Sequence, residues 1–346
     1  MQRRTMLKSA AAALIAAGVL AGGAQAQETI KIGASAPKTG PLAGGAAMTH
    51  WPNVQMWVNE INARGGLDVG GTKMKVALVE YDDQTSAETA IQNIQRLATV
   101  DKFVQRWPNS FWMLGTAKQL AEGAVQTIAK LRDAGEIGSR VALVHVADAF
   151  GLELVAAAKP ALEAAKLEIV YEASYPLGTQ DVAPIIAAAK AANPDAFIGF
   201  SYPGDTFALT EQAQIQNLEV GAFYVGVGTA FPPFAGRFGA AAEGILGIGG
   251  INIDDPKIKD YTNRHQASAG QGPDYWASAM TYAGLQVLEQ AIEKAGSKDR
   301  AKVIEAIKTG TFDTVMGTIK FDNNVNPKVW TVGQWRDGVF RGVAAD

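Results

Sequence analysis

The chain of 346 residues contains no cysteine. That removes disulfide bridges, thiolate nucleophiles and a lipid-modified N-terminal cysteine, and leaves a sufficiently large hydrophobic core to do without staples. Histidine is nearly as scarce. His50, His145 and His265 stand far apart in sequence, none in an H-x-x-x-H or carboxylate-spaced cluster, so the spacing predicts no metal site, and no cofactor is expected. Beyond residue 26 no segment approaches about 18 uninterrupted apolar residues, which excludes a membrane span after that point.

Positive charge is also in short supply. Arg3, Arg4 and Lys8 precede an apolar run from Ala10 to Leu20, and Ala24-Gln25-Ala26 follows, so residues 1–26 are expected to be an export signal with the mature chain starting at Gln27. Arg3-Arg4 with Leu7-Lys8 is similar to the twin-arginine export signal, with ordinary Sec export as the alternative. This leader takes three of the 31 Lys and Arg residues and none of the 34 acids, so 28 basic residues remain and the net charge falls to −6. Nothing in that balance favours nucleic acid or an anionic membrane surface as a partner.

What is present is a long alternation of strand and helix patterns. Ile30–Gly66 opens it with a strand (IKIGAS), a loop of turn formers (PKTGPLAGG) and a helix from about Thr49 to Arg64, in which Trp51, Val54, Val58 and Ile61 share a face and Pro52 falls in the first turn. Lys73–Tyr81 reads as the second strand and Ala87–Ala98 as its helix. The pattern then breaks. Lys102–Val104 starts as a strand, Gln105–Asn109 interrupts it, and Phe111–Gly115 resumes an extended run. After a helix over 120–131, regular β–α units run to Val227, and the helices expected at 255–269, 274–295 and 299–309 have no strands between them, so they are expected to return and cover the first sheet; extended runs follow at 315–321 and 329–335. The size and 48% hydrophobic content accommodate two domains.

Motifs for catalysis fail on spacing. Gly199–Pro203 (GFSYP) lacks the glycine that a nucleophile elbow needs two residues after its serine, and Gly226-Val227-Gly228 lacks the third glycine of a dinucleotide fingerprint, whose place is taken by Phe231. Asp82-Asp83 and Asp254-Asp255 lie at element ends, where capping and solvation account for acids. The aromatics Phe150, Tyr202, Phe231, Tyr275 and Trp276 lie at or beyond element ends, where they are candidates to line a pocket.

IKIGASAPKTGPLAGG, EINARGGL, EYDDQT, RWPNSFWMLGT, HVADAFG, GFSYPGD and WTVGQWRDG together resemble the periplasmic substrate-binding proteins of branched-chain amino-acid (Leu/Ile/Val) type ABC importers, over essentially the whole mature chain. The resemblance implies an α/β fold of two lobes, each a parallel sheet flanked by helices, joined by three crossovers and closing by hinge bending, with lobe I at 27–116 and 252–326 and lobe II at 117–251 and 327–346. It carries over Ser35, Lys38, Thr39 and Trp51 as the first-lobe wall, Phe150 and Tyr202 as covering aromatics, and Tyr275 and Trp276 at a shifted spacing. Two departures follow. The acid that takes a ligand ammonium in branched-chain binders is replaced by Gly228, with Asp205 as a possible substitute, which tilts the expected ligand towards aromatic or aliphatic acids and amides. The strand–helix–strand unit whose hydroxyls and amides hold the ligand carboxylate is missing after Val104, so lobe I is expected to be truncated and binding weak unless Lys38 or Arg106 supplies a cation.

The function implied is a periplasmic receptor, not an enzyme, that captures a small amino acid or related carboxylate or amide as a monomer and delivers it to the membrane permease of an ABC transporter. A sensing subunit for a signalling receptor and an exported hydrolase are the alternatives.

Overall fold

A computed structural model describes residues 28–97 and 109–345. The leader, Ala98, Phe103–Trp107 and the break after Val104 lie outside the described residues. The opening strand pattern forms β1 (Thr29–Ala36), which runs parallel to β3 (Thr72–Asp82) from Thr29 opposite Lys75 to Ala36 opposite Asp82. The short β2 (Leu67–Val69) pairs antiparallel with β3 on its other side. Among the described residues β1 pairs with β3 alone.

Between β1 and β3 the helical face seen in the sequence is a helix over Trp51–Ala63 with Pro52 in its first turn, where the missing N–H needs no partner. The loop before it is shorter than the run of turn formers suggests. Ala43–Thr49 is a helix, despite Gly44 and Gly45, because Gly40 O accepts the Ala43 N–H and Thr85 Oγ1 accepts the Leu42 N–H, fixing its first turn. His50 separates the two helices.

The second sheet has seven strands in the order β12-β11-β8-β7-β6-β4-β5. β4 (Arg140–Val146), β5 (Glu168–Tyr175), β6 (Ala196–Phe200), β7 (Ala222–Gly226) and β8 (Leu246–Ile248) are parallel. β11 (Trp330–Arg336) adds antiparallel to β8, and β12 (Val339–Ala345) returns along it after a turn at Asp337-Gly338, both at positive φ. That last strand follows a D-G hairpin signal beyond the expected run at 329–335. Two other extended runs differ from expectation. Phe111–Gly115 contributes only one bridge, Trp112 to Val325, and 315–321 is split into a hairpin of β9 (Phe312–Thr314) and β10 (Gly317–Ile319).

Two cores result. One joins Ile30, Met56, Trp57, Ile61, Met74 and Val76 to residues of the late helices such as Tyr261, Ala283, Val287 and Ile307, so those helices do cover the first sheet. Tyr261 Oη donates to Asn53 Oδ1 at 2.6 Å in the fully buried seam between them. The other core runs from Leu120 to Ile248 and resumes at Val329 through Phe340, with Trp335 buried against Phe234, Tyr275 and Phe340. Core residues thus alternate along the chain, first sheet, second sheet, first, second, with three passages between. The N-terminal end of the helix Ala277–Ala295 straddles the two: Ala277 and Met280 belong to one core, Ala279 and Ala283 to the other. Met113, Tyr275 and Met316 touch both.

Candidate functional site

In an open parallel sheet the loops leaving the C-terminal strand ends hold the ligand crevice. In the second sheet those ends present Asp148 and Phe150 after β4, Tyr175 as the last residue of β5, Ser201, Tyr202 and Asp205 after β6, and Gly228 after β7. Asp148 caps the helix Ala149–Ala164 by accepting the Gly151 N–H, and its other oxygen accepts from Tyr202 Oη at 2.9 Å. Phe150 and Tyr202 stack with centroids 5.0 Å apart and planes 28° from parallel, so the two expected aromatics are brought together.

Asp205 lies in the first turn of the helix Pro203–Ile215, where the helix dipole favours an anion. It is nonetheless 6% exposed, and burial pushes its carboxyl above the usual range, with the charge of Asp148 adding to the rise. The Tyr175 hydroxyl, 2% exposed, lies beside it; burial is the main cause that pushes this hydroxyl up, and its hydrogen bond with Asp205 adds to that rise while favouring the ionised Asp205 carboxyl. Beneath them Ser201 Oγ and Thr206 Oγ1 are 2.6 Å apart, and Thr206 Oγ1 donates to Val227 O. Gly228 has φ +108°, and a Cβ there would stand 2.7 Å from the Cα of Pro203, so the backbone itself fills the space where the expected acid would project.

On the first lobe the loop is organised by an acid that the sequence pattern assigns to capping. Asp82 Oδ1 accepts the backbone N–H groups of Lys38 (2.8 Å) and Thr39 (3.3 Å), and Oδ2 accepts from Thr39 Oγ1 (2.7 Å). These bonds, led by the Lys38 amide, hold the Asp82 carboxyl down at about 2. Gly40 closes against this turn, at φ +85° with a would-be Cβ 2.7 Å from Thr85 Oγ1. Lys38 Nζ reaches Glu80 Oε2 at 2.5 Å and lies 4.4 Å from the centroid of the Trp51 ring. Trp51 in turn donates Nε1–H to Pro37 O, and Ser35 Oγ accepts from Asn93 Nδ2 at 3.2 Å. Pro37, Lys38, Ala43, Ala47, Trp51, Gln55 and Glu80 line an open pocket of about 340 Å³.

The lobes meet across the crevice at Gly45, whose added Cβ would stand 3.9 Å from the Pro203 ring. Behind it, Tyr275 donates its backbone N–H to Ala230 O and packs edge-on to Trp335, while Trp276, 5% exposed, lies in the second core on the backbone of Gly249. Trp276 is thus packed as a core residue, and Tyr275 as one at the junction. The fully buried Asp274 secures this junction by accepting the N–H groups of Ala277 and Ser278, and burial raises its carboxyl. Asp148, Tyr175, Asp82 and Asp274 were not among the expected site residues. Asp148 carried one usable signal, its place two residues past a strand and before the aromatic Phe150.

Among the described residues no group of three or more His, Asp or Glu side chains is placed to hold a metal ion, and no helix is long and apolar enough to cross a membrane.

Two parallel-sheet lobes linked by three passages, with the crevice at the strand ends, define the two-lobed type I periplasmic binding protein fold. A solute-binding protein of an ABC transporter from R. palustris, solved with benzoate, superposes with a TM-score of 0.75 at 17% identity over 92% of this chain and 96% of that one. A leucine-binding protein from Thermotoga maritima does so at 0.72 and 20% identity over 91% and 98%. The sequence profile of the periplasmic binding protein family matches residues 29–107 and 104–339, and the chain belongs to that family. Its location by membership is the periplasm, and its class is one of binding proteins. A Leu/Ile/Val-binding protein homolog 7 of Brucella suis biovar 1 is 25% identical and covered to 94%, as is this chain. That alignment spans 380 positions, whereas 94% of 346 residues is about 325, so some 55 positions have no residue of this chain opposite them. The two parts of the family match meet at 104–107, the place of the break in the strand–helix pattern.

Proposed function

We propose that this protein is a periplasmic solute receptor that captures a small amino acid or related carboxylate or amide between its lobes and hands it to the permease of an ABC transporter. The observation that carries the reading is what the strand-end loops of the second sheet bring together: a stacked aromatic pair beside hydrogen-bonding side chains, an apolar body with few polar groups suited to a small solute. Ser35, Lys38, Thr39, Trp51, Phe150, Tyr202, Asp205, Gly228, Tyr275 and Trp276 are proposed to line or support it. Lobe I is taken as 27–116 with 252–326 and lobe II as 117–251 with 327–346, the protein acting as a monomer exported by the leader, through the twin-arginine route if Arg3-Arg4 is read as its signal.

The benzoate in the R. palustris neighbour and the leucine for which the Thermotoga maritima neighbour is named mark the range of ligands to try. A thermal-shift screen of amino acids, aromatic acids and amides against the mature protein is expected to find at least one that raises Tm, since a ligand selective for the native state stabilises it by RT ln(1 + [L]/Kd). The same incubations, followed by chromatography, are expected to return the ligand unchanged. Turnover of a stabilising compound would support the hydrolase reading, and a screen without any stabilising compound would remove the receptor reading.

A further inference from the structure

The end of a helix leaves carbonyls without partners, and at the end of Ala43–Thr49 one of them is met from far along the chain. The Met48 carbonyl would ordinarily take the N–H four residues on, but that residue is Pro52, which has none. Ser278 supplies the donor instead. Its fully buried Oγ donates to Met48 O at 3.3 Å across 230 residues of sequence and accepts the Asp274 N–H at 3.3 Å. The neighbouring Thr49 carbonyl accepts from Asn53 Nδ2 at 3.0 Å. The helix held in this way is the part of the first lobe that reaches the second, where Gly45 faces the Pro203 ring.

Ser278 itself stands at the head of the helix Ala277–Ala295, just past the point where first-lobe chain enters the other lobe. Tyr275 donates its N–H to Ala230 O at 3.0 Å and lies edge-on to Trp335, and the Trp276 ring occupies the space that a Cβ on Gly249 would fill. Asp274 makes the connecting piece rigid. Its Oδ2 accepts the Ala277 N–H at 3.1 Å and its Oδ1 the Ser278 N–H at 2.6 Å, a carboxylate placed at a helix N-terminus with 1% exposure. An anchor in the second core and a hydrogen bond to the first-lobe wall thus sit two residues apart on one fixed turn. Rotation of the lobes has to carry the wall along with the anchor or break the bond between Ser278 and Met48.

We infer that the turn Asp274–Ser278 couples the lobes: Tyr275 and Trp276 fix it in the second lobe, Ser278 holds the end of the helix Ala43–Thr49, and together they set the balance between open and closed forms. Asp274 and Ser278 are positioning residues that act through this helix and not through contact with a solute. The bond is made in the arrangement that brings Gly45 to Pro203, so its loss favours the open form. The inference rests on the two-lobed receptor reading above, and its test is made on the free protein, so that failure to find a solute and failure of the coupling are seen separately.

The chain has no cysteine, so two can be introduced in the mature full chain for spin labels. Ala87→Cys and Glu153→Cys place them at exposed positions near the N-terminal ends of one helix in each lobe, Ala87–Leu97 and Ala149–Ala164. Electron paramagnetic resonance then measures the distribution of distances between the lobes. Ser278→Ala in this background is expected to move population to longer distances, raising the open-to-closed ratio by about two- to tenfold, the range for one neutral hydrogen bond. Asp274→Asn is expected to act in the same direction by loosening the turn. Thr210→Ala is the control, since it removes a buried hydroxyl bond within the second lobe alone, to Thr206 O at 2.7 Å; it is expected to lower Tm and leave the distances as they are. Circular dichroism checks that each variant folds, and Asp274→Asn decides by the same criterion if Ser278→Ala does not. Distances unchanged in a folded Ser278→Ala variant, or changed equally by Thr210→Ala, overturn the coupling.

Discussion

Insertion of a family-typical strand–helix–strand segment after Val104 is expected to raise affinity for a carboxylate-bearing ligand by a hundredfold or more, together with the melting temperature. The seam at 104–107 in the family match and the roughly 55 unmatched alignment positions are consistent with a shortfall in the first lobe. A unit of that kind needs roughly 30 or more residues, so the shortfall is large enough to hold one. The described part of that lobe has only three strands in its main sheet, with β1 paired on one side, and the nearby Trp112 and Leu114 are 58% and 40% exposed. A returning strand and helix would pair backbone groups and cover apolar surface, both of which favour the folded state. The affinity gain comes from the carboxylate anchor. Two charge-assisted hydrogen bonds at about 1.5–3 kcal/mol each amount to at least a hundredfold in Kd. Lys38 does not replace that anchor, since its ammonium is already held between Glu80 and the face of Trp51. Arg106 lies outside the described residues. The comparison is a calorimetric titration and a melting curve of parent and restored chains; a parent that is already as stable and binds as tightly would show that its site is complete without the segment.

Gly228→Glu, which restores the acid of branched-chain binders by sequence, is expected to destabilise the protein and to improve no ligand. Two effects add. The residue sits at φ +108°, where an L side chain is strained by about 1–3 kcal/mol, and its Cβ would meet the Pro203 Cα at 2.7 Å, an overlap that costs about 1–3 kcal/mol more as the backbone shifts. A total of about 2–6 kcal/mol lowers Tm by several degrees at least in a chain of this size. The shift of Pro203 would also disturb Tyr202 and the first turn carrying Asp205. Denaturant melts and titration with the compound that most raises the parent's melting temperature check both parts. A variant with parental stability and tighter binding would mean that position 228 has room for a side chain after all.

Much of the architecture was legible in the chain because its β–α periods are regular: β6 falls on Ala196–Phe200 and the late helices fall within a few residues of their patterns. The differences have local causes. Gly44 and Gly45 read as loop, yet bonds from Gly40 and Thr85 nucleate a helix there, a tertiary effect that no window of sequence contains. β12 was masked by the short Gly-rich tail after Asp337-Gly338. In the site, Phe150 and Tyr202 were visible as aromatics beyond strand ends, and the structure stacks them. Trp276 had the same signature and is packed into the core instead, where the missing Cβ of Gly249 leaves room for its ring. Asp82 looked like an ordinary strand-end acid, and its clamp on Lys38 and Thr39 exists only because β1 and β3 end in register, Ala36 beside Asp82. Pairing across 44 residues leaves no local trace. The same holds for Tyr175 and Asp205, which come from different β–α units and acquire their meaning only where β5 and β6 flank β4.

Closure of the two lobes on a solute is the claim on which the rest depends. Separate cores joined by three passages, with the helix end at 277–283 and the side chains of Met113, Tyr275 and Met316 shared between them, give the geometry of a hinge. Small-angle X-ray scattering of the mature protein, with and without a saturating concentration of the compound that most raises its melting temperature, measures that motion. The radius of gyration is expected to fall on binding. A radius unchanged at saturation, with binding established by calorimetry on the same sample, would contradict closure.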